Sequence, residues 1–311
     1  MKRICALVMA VLCILSAFTF TGVAAETTRP SNVKNVTTKV TDTTASVSWD
    51  AVKGATGYRF YMWNETDKKW NIGLSATDQL GVEISRLIPG KTYKFAVKTY
   101  RTVGKKNVWS KGYTEFSILT RPSDVAKVKA TSKSNSVTLS WSKAEGAYAY
   151  RVYQYMPSTK SYKALKNTTK CTFTVEGLSQ GKKYIFAVRP WAKDGKTISW
   201  AAKRTTVRTA TQPKAPKEVK ASKITADSVT LSWDKVNGAT GYTVYIWNTT
   251  TKKWNVSSAK VTSTSVKINK LSPKKNYIFA VRPFIEYGSA KVMGKYTQVK
   301  LKTAAKPAAT R

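Results

Sequence analysis

The chain has 311 residues, with 54 Lys and Arg against 16 Asp and Glu, a formal charge of +38, and no histidine. Without imidazole, Ser-His-Asp and Cys-His triads and His-ligated metal sites are excluded. A charge excess of this size attracts polyanions and anionic surfaces.

Residues 1–25 read as a secretory signal peptide. Lys2 and Arg3 form its charged start, Ala6 to Phe20 its apolar stretch, and Val23-Ala24-Ala25 its cleavage site. The apolar run is too short for a membrane span. Cys5 and Cys13 fall inside this segment. The mature chain therefore keeps one thiol, Cys171, read as a small half-buried strand residue, and an intrachain disulfide is ruled out. The expected protein is secreted, as in bacterial export, and monomeric.

The remainder is periodic. Trp49, Trp141 and Trp233 stand 92 residues apart, and Tyr58, Tyr150 and Tyr242 each follow nine residues later. Leu87 and Tyr93, Leu178 and Tyr184, and Leu271 and Tyr277 are pairs six residues apart. Such a period, tiled three times, predicts three β modules at 29–120, 121–211 and 212–304, with 305–311 as a disordered tail. Arg121-Pro122 and Gln212-Pro213-Lys214-Ala215-Pro216 mark short boundaries, which predict an elongated, semi-rigid array. The three blocks carry 15 basic residues against 7 acidic, 18 against 4, and 17 against 4, so the charge belongs to the modules rather than to a tail.

Block three shows the elements most clearly. Ser228-Val229-Thr230-Leu231-Ser232-Trp233 alternates polar and apolar residues, the pattern of a half-buried strand. Asn237 to Gly241 is a turn cluster, Tyr242 to Trp247 a second strand, and Tyr277 to Arg282 a later one. Parity assigns Tyr58, Phe60 and Met62, and Tyr93, Phe95 and Val97, to the core face of block one, with equivalents in the other two. Several short strands at this spacing indicate an all-β sandwich.

These residues resemble the fibronectin type III module. The family places a tryptophan on its second strand, a tyrosine opening its third, and a leucine six residues before the tyrosine of its sixth. Leu87-Ile88-Pro89-Gly90-Lys91-Thr92-Tyr93 and Leu271-Ser272-Pro273-Lys274-Lys275-Asn276-Tyr277 are similar to its leucine–proline–tyrosine corner, whereas Leu178 to Tyr184 lacks the proline. The resemblance implies three tandem seven-stranded, immunoglobulin-like sandwiches with structural roles for these tryptophans and tyrosines. The integrin-binding Arg-Gly-Asp tripeptide of some members is absent.

No carboxylate pair is held across the repeats and no phosphate-cradling glycine loop occurs, so the chain is read as non-catalytic, with no cofactor and no metal. The candidate chemistry lies opposite the core. The third strand presents Tyr61 and Trp63, Tyr153 and Tyr155, and Tyr245 and Trp247 on its outward face, and Trp70, Tyr162 and Trp254 follow. If the sixth strand lies beside the third, it adds Lys98 and Tyr100, Arg189 and Trp191, and Arg282 and Phe284.

Two readings of these faces stand. One is cross-strand stabilisation or burial against a neighbouring module. The other is a platform on which rings stack against sugars while Asn, Lys and Arg bond hydroxyls. The partner would be a polysaccharide or an anionic cell-surface polymer such as teichoic acid, nucleic acid or an acidic glycan, with other surface proteins as further partners. A structural spacer without its own ligand is the remaining alternative.

Overall fold

The period-2 patterning builds strands throughout residues 28–306, the part described by the computed structural model. The signal-peptide reading of 1–25 lies outside the described residues. Module one contains β1 (Thr37–Val40), β2 (Ala45–Ser48), β3 (Gly57–Asn64) and β4 (Lys69–Thr77). It continues with β5 (Gly81–Ile84), β6 (Thr92–Val103), β7 (Lys106–Trp109) and β8 (Thr114–Leu119).

Module two repeats them as β9 (Val128–Ser132), β10 (Val137–Trp141), β11 (Ala149–Met156) and β12 (Ser161–Thr168), then β13 (Thr172–Val175), β14 (Lys183–Asp194), β15 (Thr197–Trp200) and β16 (Thr205–Ala210). Module three has β17 (Val219–Ser222), β18 (Val229–Trp233), β19 (Gly241–Asn248) and β20 (Lys253–Val261). It closes with β21 (Ser265–Ile268), β22 (Asn276–Tyr287), β23 (Ala290–Met293) and β24 (Thr297–Lys302).

Each module is a sandwich of a three-stranded sheet, ordered β1-β2-β5 in module one, and a larger sheet ordered β4-β3-β6-β7, with β8 also on β6. The seventh strand is thus broken in two. β7 pairs with the late half of β6 and β8 with the early half, all antiparallel. The same break recurs between β15 and β16 and between β23 and β24.

The periodic tryptophans are core residues: Trp49 is 4% exposed and Trp141 and Trp233 are each 7% exposed. Phe60, Phe95, Phe186 and Phe279 are fully buried beside them. Each such side chain stabilises its module by about 1.5–3 kcal/mol.

The two repeated tyrosines seal loops. Tyr58, Tyr150 and Tyr242 accept hydrogen bonds at 2.9 Å from the backbone N–H of Val52, Ala144 and Val236. Tyr93, Tyr184 and Tyr277 accept from Ile88, Ser179 and Ser272 at 2.8, 2.9 and 2.8 Å. A buried threonine closes each corner. The Thr120, Thr211 and Thr303 hydroxyls donate to the carbonyls of Ile88, Ser179 and Ser272. Cys171 is free and half-buried as expected, but it precedes β13 rather than lying within a strand.

The modules meet glycine to glycine. A Cβ on Gly90 would lie 2.0 Å from the Gly146 carbonyl oxygen, and one on Gly238 would lie 2.0 Å from that of Gly181. Gly90 and Gly146 both have positive φ, 65° and 69°, which glycine adopts without steric penalty. The Gly90 N–H donates to the Arg121 carbonyl, and the Ser123 N–H donates to the Glu145 carbonyl, tying the linker to both sides.

Candidate ligand-binding faces

The outward side of the larger sheet carries rings in all three modules. Directly opposed cross-strand pairs stand at the hairpin end of its edge strand: Trp63 with Trp70, Tyr155 with Tyr162, and Trp247 with Trp254. Their centroids lie 5.3, 5.3 and 5.2 Å apart with planes at 70°, 63° and 66°. This edge-to-face geometry places the positive rim of one ring on the negative face of the other. All six rings are half-buried, so each pair keeps surface open to solvent.

In modules one and three the hairpin between the paired rings is held by asparagine. Asn64 Oδ1 accepts from the N–H groups of Thr66 and Asp67, and Asn248 Oδ1 from those of Thr250 and Thr251. These two carboxamide oxygens therefore serve the turn.

The break in the seventh strand adds a residue that strand parity did not point to. Tyr113, Arg204 and Tyr296 stand immediately before β8, β16 and β24. Tyr113 packs edge-on against Tyr61 at 5.2 Å and stacks over Trp70 at 6.3 Å, and the Lys98 ammonium lies 4.6 Å from its centroid. Tyr296 meets Trp254 at 5.9 Å. In module two the Arg204 guanidinium instead covers Tyr153 and Tyr162, at 4.9 and 5.3 Å. Extending the repeat past the sixth strand would have revealed this position, because each of the three residues precedes a threonine.

A second cluster lies further along the same sheet. In module one it joins Tyr100 and Trp109, 5.0 Å apart, with the Arg59 guanidinium 4.5 Å from the Trp109 ring. In module two Trp191 sits between Tyr148 and Trp200, at 5.0 and 5.9 Å. Arg151 and Arg189 lie 4.7 and 5.6 Å from the Trp200 ring.

Three expected platform residues are corrected by burial. Phe284 is 0% exposed, Tyr153 is 7% and Tyr100 is 9%. Phe284 pairs with Gly241, whose missing side chain leaves space for the ring, and Lys291 covers it at 3.9 Å. Tyr100 lies over Gly57 in the same way. Module two has Ala149 opposite Trp191, so that ring sinks less deeply. Tyr153 lies beneath Arg204.

The basic positions divide as well. Arg189 Nε donates to the Ala201 carbonyl at 2.9 Å and Arg282 Nε to the Gly294 carbonyl at 2.7 Å, bracing the strand break. Lys98 instead rests on Tyr113. Tyr245 is half-buried, directly opposite the buried Ala280.

The fibronectin type III domain family model matches residues 28–116, 121–207 and 214–292. The chain belongs to the fibronectin type III family. It is 29% identical over 211 residues to Tenascin-N of Mus musculus, covering 67% of this chain and 13% of that protein. It is 28% identical over 231 residues to Exoglucanase B of Cellulomonas fimi, covering 66% of this chain and 20% of that enzyme. Against Chitinase A1 of Niallia circulans it is 34% identical over 142 residues, covering 40% and 19%. The chain thus spans a fifth or less of the length of each of these relatives. Fibronectin type III modules are in general non-catalytic, and they occur in extracellular proteins. Among the described residues no group of His, Cys, Asp and Glu is placed to hold a metal ion, and no helix is long and apolar enough to cross a membrane.

Proposed function

We propose that this chain is an extracellular, monomeric binding protein whose outward sheet faces bind polysaccharide. The observation that carries this reading is the cross-strand ring pair repeated in all three modules, half-exposed and joined at the strand break by Tyr113, Arg204 or Tyr296. Rings of this kind stack on the apolar faces of sugars, and Lys98 and Arg204 are positioned to bond hydroxyls or carboxylates. Three weak sites on one chain multiply into avidity without any further contact. Two of the similar proteins carry names of polysaccharide-cleaving enzymes, a chitinase and an exoglucanase, which supports a polymeric sugar as partner.

The test is retention on insoluble chitin, cellulose and starch. Wild-type protein should be retained on at least one polymer and Trp63→Ala with Trp247→Ala should be released, while thermal melts show all modules folded. Equal retention of both proteins would sink the reading.

The charge favours a second reading, adhesion to anionic polymers such as teichoic acid or nucleic acid. An excess of +8, +14 and +13 across the three blocks supports it. Its signature is binding that falls steeply with salt through counterion release, independent of the rings.

A further inference from the structure

Between modules one and two lies a groove of about 450 Å³. We propose that it holds an acidic sugar, a uronate unit of an extended polysaccharide, so that the junction is a binding site in its own right. The inference rests on the polysaccharide reading; the groove shares Arg189 and Trp200 with the second ring cluster of module two, while Arg121 lies outside the paired-ring faces.

The lining carries the chemistry. Arg121 from the linker and Arg189 from β14 both face the groove, Trp200 supplies an indole, Thr38 and Ser199 supply hydroxyls, and no acid is among the lining residues. Val40, Leu119 and Ile198 add apolar surface, Ile198 being 50% exposed. Arginine is suited to a carboxylate because its planar fork matches two oxygens at once. The Arg189 fork is already oriented, since its Nε is fixed on the Ala201 carbonyl while its terminal nitrogens remain to donate. An indole beside a guanidinium offers a sugar ring an apolar face next to the donor for its carboxylate.

The groove continues into a track. Thr38, Val40 and Arg121 also line an adjoining depression of about 510 Å³ over the smaller sheet of module one, with Lys39 and Ser46 beside them and the Thr41 and Thr44 hydroxyls bonded to each other. Glu83 lines that second depression. With Glu83 set against Lys39 in that depression and no acid in the groove, the acidic unit belongs at the junction with Arg121 and Arg189.

Hydrogen bonds tie the linker to module one and module one to module two. The Arg121 N–H donates to the Thr41 carbonyl, its own carbonyl accepts from Gly90, and Thr92 Oγ1 bonds Asp194 across the modules at 2.5 Å. A preformed site avoids the ordering cost that weakens flexible ones. The second junction is braced differently, at the positions equivalent to Thr92 and Asp194. There the hairpin turn at Gly288 packs on the Arg208 side chain, and the Lys183 ammonium lies 5.3 Å from the Tyr287 ring.

The test titrates the mature chain with a short oligogalacturonate and a neutral oligogalactose of equal length, by calorimetry at physiological salt. Arg121→Gln keeps the backbone bonds of the linker and should weaken oligogalacturonate binding about tenfold, as expected for loss of one charged hydrogen bond. Lys163→Gln, which removes the same charge from an exposed site on β12, should change it by less than about twofold. Absence of wild-type binding, equal affinity for the neutral oligomer, or equal loss in both variants would each overturn the proposal. If Trp63→Ala with Trp247→Ala weakens binding and Arg121→Gln does not, the groove is rejected and the ring faces stand. The reverse outcome supports the groove, and the ring faces are then judged by their own retention on neutral polymers.

Discussion

Trp63 and Trp70 face one another directly across the β3–β4 hairpin, ring edge to ring face, with centroids 5.3 Å apart. Such a pair contributes about 0.5–1.5 kcal/mol beyond its area burial, so it has a structural value whatever it binds. Trp70→Ala should therefore lower the stability of module one by about 1 kcal/mol, a shift of about 4–8 °C in Tm for a domain this size. If the face also binds sugar, retention should fall far more than this loss explains. A change confined to Tm would make the pair purely structural.

Alkaline pH should destabilise modules one and two through Tyr58, Tyr93 and Tyr150. Burial pushes the Tyr58, Tyr93 and Tyr150 hydroxyls above the ordinary value of 10.0, an effect only partly offset by the backbone N–H each accepts. A raised value in the folded state favours the neutral phenol. This contribution is fully present below the unfolded-state value near 10 and is lost as pH rises through the folded-state value. Stability measured by urea unfolding should stay level to about pH 10 and then decline. Phenolate absorbance should show some tyrosines ionising only on unfolding. A stability that rises above pH 10 would contradict this account.

The contact between Gly90 and Gly146 predicts that even one methyl group disturbs the array. A Cβ at Gly146 would lie 2.2 Å from the Pro89 carbonyl oxygen, a distance only backbone movement can relieve. Gly146→Ala should broaden the interdomain angle seen by small-angle scattering. Ala also pays for positive φ, so module two itself should lose about 1 kcal/mol. Unchanged scattering would show that this contact does not set the geometry.

Arg282→Lys should destabilise module three by about 1 kcal/mol, because Lys lacks the Nε that donates to the Gly294 carbonyl at 2.7 Å. Lys98, at the same position in module one, makes no such bond and lies over Tyr113, so Lys98→Gln should cost less. Separate thermal melts of the two variants provide the comparison, and a larger loss for Lys98→Gln would reverse the assignment.

The parts of this fold written as periodic contacts were legible in the sequence. Trp49 and its repeats had to be core, because the alternation around them gives a strand only one buried face, and the family resemblance of Leu87 to Tyr93 implied a structural corner tyrosine. Parity failed at the strand end. Phe284 and Tyr100 kept the outward register but sank over glycines on the neighbouring strand, Gly241 and Gly57, a vacancy that only pairing reveals. Tyr113, Arg204 and Tyr296 were missed because they stand in the strand break, outside any period-2 run. The glycine junctions and the groove at Arg121 depend on how modules dock, which no pattern within one repeat encodes.

The most direct measurement of the central claim is retention on immobilised polysaccharide at low and high salt, comparing wild type with a variant carrying Trp63→Ala, Tyr155→Ala and Trp247→Ala. Wild-type retention should persist at high salt, and the variant, still folded, should be released at both. Retention by the variant equal to wild type, or wild-type retention abolished by salt alone, would contradict it.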